Sequence, residues 1–386
     1  MRVKPKSPLL QFFPGEVMDV SVILPTMNEE EAIRVVLPRI KGVLDGMGLD
    51  YEIIVVDKSS DQTPEIAKGL GAVVVRQRGR GYGDAYLEGF RRARGKYVLM
   101  LDPDGSYDPE DIPAILEPLL KDEADFVIGS RLKGEMDPGA MPWLHRRIGN
   151  PLLTWVLNLF FKAGISDAHC GMRAIKRDAL EKLPLKCKGM EFASEMVIEA
   201  AKHGLRIREV PIRYHPRIGK SKLSSFKDGW RHLRLMLLYS PTHLFLIPGL
   251  LLLTLGLFLL AYTYVFEPIR LHTMILGSLL LITGTQVLGF GVSAKVYAVK
   301  EGLEKPDRIT GFFMRYSILE EGLLVGGILL LMGLVLGVRL FLQWRNANYG
   351  ALFHIQEAIL ILTLITLGLQ VVFFSFFISV YMLKEG

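Results

Sequence analysis

Two aspartates separated by one residue, in the order Asp102-Pro103-Asp104, follow an apolar run at residues 97–101. Carboxylates two residues apart at a strand end can face the same way and hold one hard cation, which is then shared with substrate phosphates. The alternative is an ordinary Asp-Pro-Asp-Gly turn without a ligand. Together with three similar segments described next, the pair predicts a nucleotide site with a divalent metal, Mg²⁺ or Mn²⁺.

Three further polar segments follow β-branched runs, at residues 25–30 (PTMNEE), 57–63 (DKSSDQT) and 76–85 (RQRGRGYGDA). The first two are equally typical of turns and helix N-caps. In the third, glycines let backbone amides approach a phosphate while arginines such as Arg78 neutralise it. A dinucleotide-binding fingerprint is the competing interpretation, but that motif belongs after the first strand of its sheet.

The elements that carry these segments alternate in type. Short strands are predicted at residues 20–24, 52–56, 72–75, 97–101 and 125–128, with helical patterns between the first four. This alternation predicts an α/β fold with a parallel sheet and right-handed crossovers. Ligands of such sheets bind at the carboxyl ends of the strands, where the polar segments lie.

The second half of the chain has a different composition. Hydrophobic residues make up 50% of the 386 residues, and the charge is concentrated in residues 1–238. Four apolar stretches are each long enough for the ~20 residues that a bilayer-spanning helix needs. We predict these spans at residues 241–266, 272–294, 317–343 and 355–383. Arg339 interrupts the third stretch, which a snorkelling position near the membrane interface would explain.

The charges around these stretches predict an orientation. Lys and Arg are concentrated between the second and third stretches, which places residues 1–224 in the cytoplasm by the positive-inside rule. Residues 225–240 are basic and have amphipathic helical spacing, typical of a helix on the bilayer surface; a solvated helix face is the alternative.

The remaining composition agrees with a cytoplasmic setting. The apolar patch near the N-terminus is too short for a signal peptide. Cys170 and Cys187 are the only cysteines, which supports neither a disulfide framework nor a cysteine metal site. We expect no nucleic-acid partner, and the sequence does not indicate an oligomeric state.

The four polar segments, in this order and spacing, resemble the pattern of glycosyltransferase family 2 with the GT-A fold. Four further motifs resemble the dolichyl-phosphate mannose and glucose synthases, at residues 81–86, 128–131, 166–173 and 219–223. The resemblance covers nearly all of the polar half. It implies a Rossmann-like, mostly parallel GT-A domain at 1–224, an interface helix at 225–240 and an all-α transmembrane domain at 241–386.

The resemblance also implies roles for single residues. It places base and ribose binding at Pro25, Met27, Glu29 and Asp57, the pyrophosphate and metal motif at Asp102, Pro103 and Asp104, and phosphate-binding cations at Arg131, Arg217, Lys220 and Lys222. Lys58 stands at the position where many relatives have Asp or Asn. Ser106 replaces a metal-binding Gln of some mannose synthases, so Asp102, Asp104 and Ser106 form the predicted ligand set, completed by phosphates and water. Asp167 and His169 either orient sugar or phosphate, or form a structural turn.

The implied reaction moves a hexose from a nucleotide sugar to a dolichyl or polyprenyl phosphate. A phosphate monoester is largely anionic at neutral pH and needs no protein base. We therefore predict one inverting displacement, with Asp104, Arg131 and Asp167 as catalytic residues. UDP-glucose is the favoured donor, followed by GDP-mannose and UDP-N-acetylglucosamine. The alternatives are a glycan polymerase or glycolipid synthase and, in another class, a lipid or glycan transporter or scaffold. The scarcity of charge inside the spans argues against transport.

Overall fold

The computed structural model describes residues 18–219, 225–266, 270–301, 304, 306–350 and 354–383. The chain divides into two compact units, Met1–Met236 and Leu237–Gly386. The first unit is an α/β domain and the second is helical.

A seven-stranded sheet with the strand order β3-β2-β1-β4-β6-β5-β7 forms the centre of the first unit. The strands are β1 (Val20–Thr26), β2 (Tyr51–Asp57), β3 (Val73–Arg76), β4 (Tyr97–Met100), β5 (Phe126–Ser130), β6 (Arg173–Lys176) and β7 (Ile207–Pro211). Only β6 is antiparallel to its neighbours β4 and β5; the other pairs are parallel. The predicted mostly parallel α/β fold is confirmed, and β6 and β7 are additional strands that the sequence analysis did not find.

The helices of the first unit are α1 (Glu30–Met47), α2 (Thr63–Gly69), α3 (Tyr82–Arg92), α4 (Ile112–Leu120), α5 (Asn150–Phe161), α6 (Arg177–Leu180), α7 (Phe192–Lys202) and α8 (Ser225–Leu238). In α1, apolar residues spaced three or four apart, such as Ile33, Leu37 and Ile40, are buried and form one face. Ile23 and Leu24 of β1 are both fully buried, as expected for a central strand covered on both faces. The core therefore lies between the central strands and the inner helix faces.

The second unit contains α9 (Ile247–Val265), α10 (Leu271–Lys300), α11 (Arg308–Phe313), α12 (Ile318–Asn346) and α13 (Ile355–Met382). Four helices are long and apolar enough to cross a membrane: Thr242–Val265, Leu271–Lys300, Ile318–Asn346 and Ile355–Met382. The predicted four-helix transmembrane domain is confirmed.

Glycines set the close packing of these membrane helices. A Cβ added to Gly256 of α9 would lie 2.3 Å from the backbone nitrogen of Leu281 of α10, and one added to Gly284 would lie 2.4 Å from the nitrogen of Leu253. Within a bilayer, such close backbone approach replaces the hydrophobic effect as the force that joins helices. A larger residue at either glycine would separate α9 from α10.

Candidate active site

Polar side chains join the carboxyl ends of β1 and β2. The Thr26 hydroxyl donates a hydrogen bond of 2.7 Å to the buried carboxylate of Asp57, and the Asn28 side chain accepts one of 2.8 Å from the Ser60 backbone amide. Asn28 has a left-handed φ of 54°, which asparagine tolerates better than most residues. The residues predicted for base and ribose binding follow or end these two strands: Pro25, Met27, Glu29 and Asp57.

The loop between β3 and α3 lies beside the ends of β1 and β2 and carries Arg78 and Arg80. The Gln77 side chain donates to the Gly81 carbonyl at 2.8 Å and to the Asp84 carboxylate at 3.0 Å. Gly81 has a φ of 108°, and a Cβ there would lie 2.3 Å from the Lys188 carbonyl, so the position requires glycine. Arg78 is exposed and forms no hydrogen bond or ion pair with the residues that the structure describes. Its guanidinium group is accessible to an anionic ligand.

Asp104, after β4, is oriented by its neighbours. Its Oδ1 accepts hydrogen bonds from the backbone amide (3.0 Å) and the hydroxyl (2.5 Å) of Ser106. Its Oδ2 lies 3.5 Å from a guanidinium nitrogen of Arg217, and the same nitrogen lies 3.5 Å from Glu29 Oε1. The buried Arg217 Nε has no hydrogen-bond partner in the described part of the chain. Arg217 therefore connects the end of β1 with the end of β4.

Asp102, on the other side of buried Pro103, is the second carboxylate of the pair. Tyr86 donates a hydrogen bond of 3.3 Å to its Oδ1. Burial, and then the charge of Asp104, raise the pKa of Asp102 to about 6. A divalent cation would relieve this repulsion, so the chemistry of the donor set fits Mg²⁺ or Mn²⁺. No group of three or more His, Cys, Asp or Glu residues within the described ranges could hold a metal ion, so phosphates and water would complete the coordination.

The raised pKa of Asp102 would make the binding of a divalent cation by this carboxylate sensitive to pH. We expect Mn²⁺ affinity to fall as the pH is lowered through about 6, by at most about tenfold per unit, because a proton then competes with the ion. Without metal, the folded state holds this proton more tightly than the unfolded state. The contribution of Asp102 to stability is therefore lost as the pH rises from about 4 to about 6.

Electron paramagnetic resonance of Mn²⁺ titrated into the protein, without nucleotide, would measure this dependence. Asp102→Asn should bind Mn²⁺ more weakly, with a flatter pH dependence, and should melt at a higher temperature at neutral pH in the absence of metal. A variant with the slope of the natural chain would disprove the assignment.

Arg131 and Asp167 form a buried ion pair beside β5. The Arg131 Nε and Nη2 atoms donate to the two Asp167 oxygens at 2.7 and 2.8 Å, and both residues are almost fully buried. The Asp167 backbone amide donates to Glu209 of β7 at 2.9 Å, and the Arg131 guanidinium group lies 5.3 Å from the centre of the Tyr214 ring. Arg131 and Asp167, both predicted as catalytic from the family resemblance, thus form one bidentate ion pair.

The loop between α5 and β6 is held by an arginine that the sequence analysis quoted only as part of a motif. Arg173 is buried, and its guanidinium group donates to the backbone carbonyls of Ala168, Cys170 and Ala193 at 2.6 to 2.8 Å. No separate signal in the sequence indicated this role, because Arg173 begins β6, which no local pattern predicted. Arg173 fixes the loop that carries Asp167.

His232 of α8 is a site neighbour that the sequence analysis missed. Its Nδ1 lies 2.8 Å from the Ser194 hydroxyl, which lies 3.2 Å from His169 Nε2, and the two imidazole rings are 4.4 Å apart. Burial lowers the pKa of both histidines, that of His232 to about 4, so both are neutral at pH 7. This neutral chain attaches α8 to the loop of Asp167. The basic amphipathic pattern of α8 in the sequence did not indicate this contact of His232.

An exposed apolar stripe along α5 and the turn before it was also missed. Its side chains are 45 to 69% exposed: Trp143, Leu144, Ile148, Leu152, Trp155 and Leu159. Positions 144, 148, 152, 155 and 159 have helical spacing, which was the available signal. Arg146 and Arg147 lie in the same segment. Apolar residues at helical spacing beside arginines are typical of a helix that binds a membrane surface.

The predicted phosphate cations are only partly within the described chain. Arg217 lies at the site, whereas Lys220 and Lys222 fall outside the described residues. Arg131 is paired with Asp167, so any contact with a phosphate involves this pair and not a free guanidinium group.

The chain matches two family models. The first, described as glycosyl transferase family 2, covers residues 21–184, and the second, described as the glycosyltransferase family 2 C-terminal transmembrane region, covers residues 292–382.

Two relatives from Haloferax volcanii are similar to this chain. The low-salt glycan biosynthesis hexosyltransferase Agl6 is 42% identical over 366 residues, which cover 93% of this chain and 88% of the relative. A dolichyl-phosphate hexose transferase is 35% identical over 211 residues, which cover 55% of this chain and 89% of that protein. Among solved structures, mannosyl-3-phosphoglycerate synthase from Rubrobacter xylanophilus matches with a TM-score of 0.49 and 21% identity, over 57% of this chain and 73% of that one.

An α/β domain with polar strand ends, followed by four apolar helices, defines the class of membrane-bound glycosyltransferases with a GT-A-like catalytic domain. The similarity to Agl6 extends over 93% of this chain and therefore includes both the α/β domain and the apolar helices. The chain belongs to glycosyltransferase family 2, as the sequence motifs predicted.

Proposed function

We propose that this chain transfers a hexose from a nucleotide sugar to a dolichyl or polyprenyl phosphate, with inversion at the anomeric carbon. The position of Arg217 supports this most directly, because one guanidinium group lies 3.5 Å from both the predicted ribose-side Glu29 and the predicted metal ligand Asp104. A cation there faces the place where two anionic reactants would meet. The name of the similar dolichyl-phosphate hexose transferase supports the choice of acceptor.

The proposed reaction has one step. A phosphate oxygen of the acceptor attacks the anomeric carbon, a new C–O bond forms, and the bond from that carbon to the nucleoside diphosphate breaks. A divalent cation, held by Asp102 and Asp104 with Ser106 beside them, would supply Lewis-acid stabilisation of the leaving group. The Arg131–Asp167 pair and Arg217 orient the phosphates and reduce their mutual repulsion. No protein base is needed, because the attacking oxygen is already anionic.

The exposed apolar stripe of α5 supports a lipid acceptor. A soluble acceptor would not require Trp143 and Trp155 on the surface, whereas a bilayer would bury their rings at its interface. The basic amphipathic helix α8 adds a second surface of this kind. A polyprenyl phosphate, whose headgroup lies at that interface, is then presented to the first unit without leaving the bilayer.

Product analysis tests the proposal. Purified protein would be incubated with dolichyl phosphate, Mn²⁺ and, separately, UDP-glucose, GDP-mannose and UDP-N-acetylglucosamine, followed by mass spectrometry of the lipids. One hexose on the lipid phosphate, with UDP-glucose as the best donor, is expected. A ladder of products would indicate a glycan polymerase, and a product on another lipid would indicate a glycolipid synthase.

Arg217→Gln should affect the acceptor more than the donor. We expect the apparent KM for dolichyl phosphate to rise, or turnover to fall, by about 10- to 100-fold, since a charge-assisted contact of roughly 1.5–3 kcal/mol is lost. Calorimetry with the nucleoside diphosphate and Mn²⁺ should give little change. Arg208→Gln, an exposed change on β7, is the matched control. A loss of nucleotide affinity with an unchanged acceptor KM would assign Arg217 to the donor instead.

We also propose that the catalytic unit faces the cytoplasm, which the loop charges support. A cysteine introduced at exposed Asn348, after α12, should react with a membrane-impermeant maleimide in intact cells. One introduced at Gly311, where an added side chain meets open space, should react only after the cells are opened. The chain without either added cysteine is the control. The reverse pattern of labelling would place the catalytic unit outside the cell.

A further inference from the structure

Two glutamines lie near mid-depth in the membrane unit, Gln286 on α10 and Gln370 on α13. Gln286 is 14 residues before Lys300, the end of α10, and Gln370 is 12 residues before Met382, the end of α13. At 1.5 Å per residue these separations are roughly 21 and 18 Å. Both helices are longer than the hydrocarbon core of a bilayer, which is about 30 Å thick. Because the two glutamines are near the middle of their helices, both amides lie close to the bilayer midplane.

The two glutamines are also level with each other. A hydrogen bond of 2.6 Å joins Ser278 of α10 to Thr363 of α13, 85 positions apart, and the rings of Phe290 and Phe374 are 5.5 Å apart further along the same helices. α10 and α13 are therefore parallel with a constant offset. The number of positions between Gln286 and Gln370 matches this offset. The two glutamines therefore lie side by side where α10 packs against α13.

Neither amide has its hydrogen bonds satisfied. Gln286 and Gln370 form no hydrogen bond with any residue that the structure describes, and the Gln370 Oε1 atom is buried. Each amide carries two N–H donors and one carbonyl acceptor. Lipid tails offer neither donors nor acceptors, so bare amides at this depth are unfavourable and need a partner.

Both glutamines line one open groove of about 570 Å³ on the surface of the second unit, together with Thr366 and the aromatic residues Phe290, Phe373 and Phe377. Phe373 is 67% exposed and Phe290 49% exposed. We call this the glutamine groove. It combines aromatic rings that can pack with two groups that can form hydrogen bonds.

We propose that the glutamine groove is the interface between two copies of this chain in the membrane, where the Gln370 Nε2 atom of each copy donates a hydrogen bond to the Oε1 atom of the partner subunit's Gln286. A twofold axis along the membrane normal brings the same patch of both copies together, and an amide is self-complementary because it both donates and accepts. A polyprenyl tail fits the apolar walls but leaves the amides unpaired. Within one chain, the two amides form no hydrogen bond with each other, and the Gln370 Oε1 atom has no partner among the described residues. This inference does not depend on the proposed function.

The test measures association in lipid. Fluorescently labelled full-length chain would be reconstituted in phosphatidylcholine vesicles over a range of protein-to-lipid ratios, and the dimer fraction counted by single-molecule photobleaching. We expect a dimer whose dissociation constant rises about tenfold or more in the Gln286→Leu/Gln370→Leu double variant. Gln343→Leu near the end of α12 is the matched control, and it should leave association unchanged. Melting temperature and the KM for dolichyl phosphate are measured alongside.

The proposal would be overturned by a monomer at every protein density, a double variant that associates like the natural chain, an equal loss of association in Gln343→Leu, or a higher KM for dolichyl phosphate with unchanged association. The last result would assign the groove to the lipid tail. A lower melting temperature with unchanged association would assign the two amides to pairing within one chain, and would also contradict the interface.

Discussion

Asp104→Asn is expected to abolish hexose transfer, with a decrease of about 10³-fold or more. The substitution removes the charge that lies beside Arg217 and is proposed to bind the cation, but almost no volume. Loss of several kcal/mol of stabilisation of the leaving group corresponds to this decrease, because each 1.36 kcal/mol changes a rate tenfold. Since the Ser106 backbone and hydroxyl hold only the Oδ1 side, the amide oxygen of the substituted side chain can keep these contacts, and we expect the fold to persist.

Transfer of radiolabelled hexose to dolichyl phosphate measures this effect, and titration with Mn²⁺ separates weaker metal binding from slower chemistry. Asp178→Asn, which removes an exposed carboxylate of α6, is the matched control and should be fully active. Asp102→Asn should be less impaired than Asp104→Asn. Transfer that survives both chelation with EDTA and the Asp104→Asn change would refute the metal assignment.

Asp167→Ala should have the largest effect on stability among the site residues. Arg131 is 8% exposed and its partner fully buried, so removal of the carboxylate leaves an uncompensated charge in the interior. Breaking one side of such a pair typically costs about 3–5 kcal/mol. We therefore expect a clearly lower melting temperature of the first unit, and loss of transfer that follows from unfolding as well as from chemistry.

A double variant separates these two causes. Arg131→Met with Asp167→Val replaces the pair by apolar residues close to it in volume, which is often neutral for stability. We expect it to recover most of the melting temperature but no transfer, because the charged pair is proposed to orient a phosphate. Arg131→Lys keeps the charge without bidentate geometry and should retain only part of the activity. A stable double variant with normal transfer would reduce the pair to a structural role.

The strands found and missed by the sequence analysis differ in a physical way. β1 and β2 are central, and both of their faces are buried, so each reads as a continuous β-branched run. β6 is four residues long and has Arg173 and Lys176 at its ends, and β7 carries charged residues between apolar ones. These two segments become strands through pairing with β4 and β5, which no local pattern encodes. α5 differs from these strands, because its exposed apolar residues have helical spacing in the sequence itself.

Residue types and their order along the chain were enough to predict the α/β domain, the four membrane helices and the polar strand ends. The reason is that carboxyl ends of parallel strands meet at one edge of a sheet whatever the details of packing. Which charges pair was decided only by the folded chain. Arg131 binds Asp167, Arg217 lies between Glu29 and Asp104, and His232 reaches Ser194, each across a long stretch of sequence. Pairing depends on distance and burial in three dimensions, and sequence spacing contains neither.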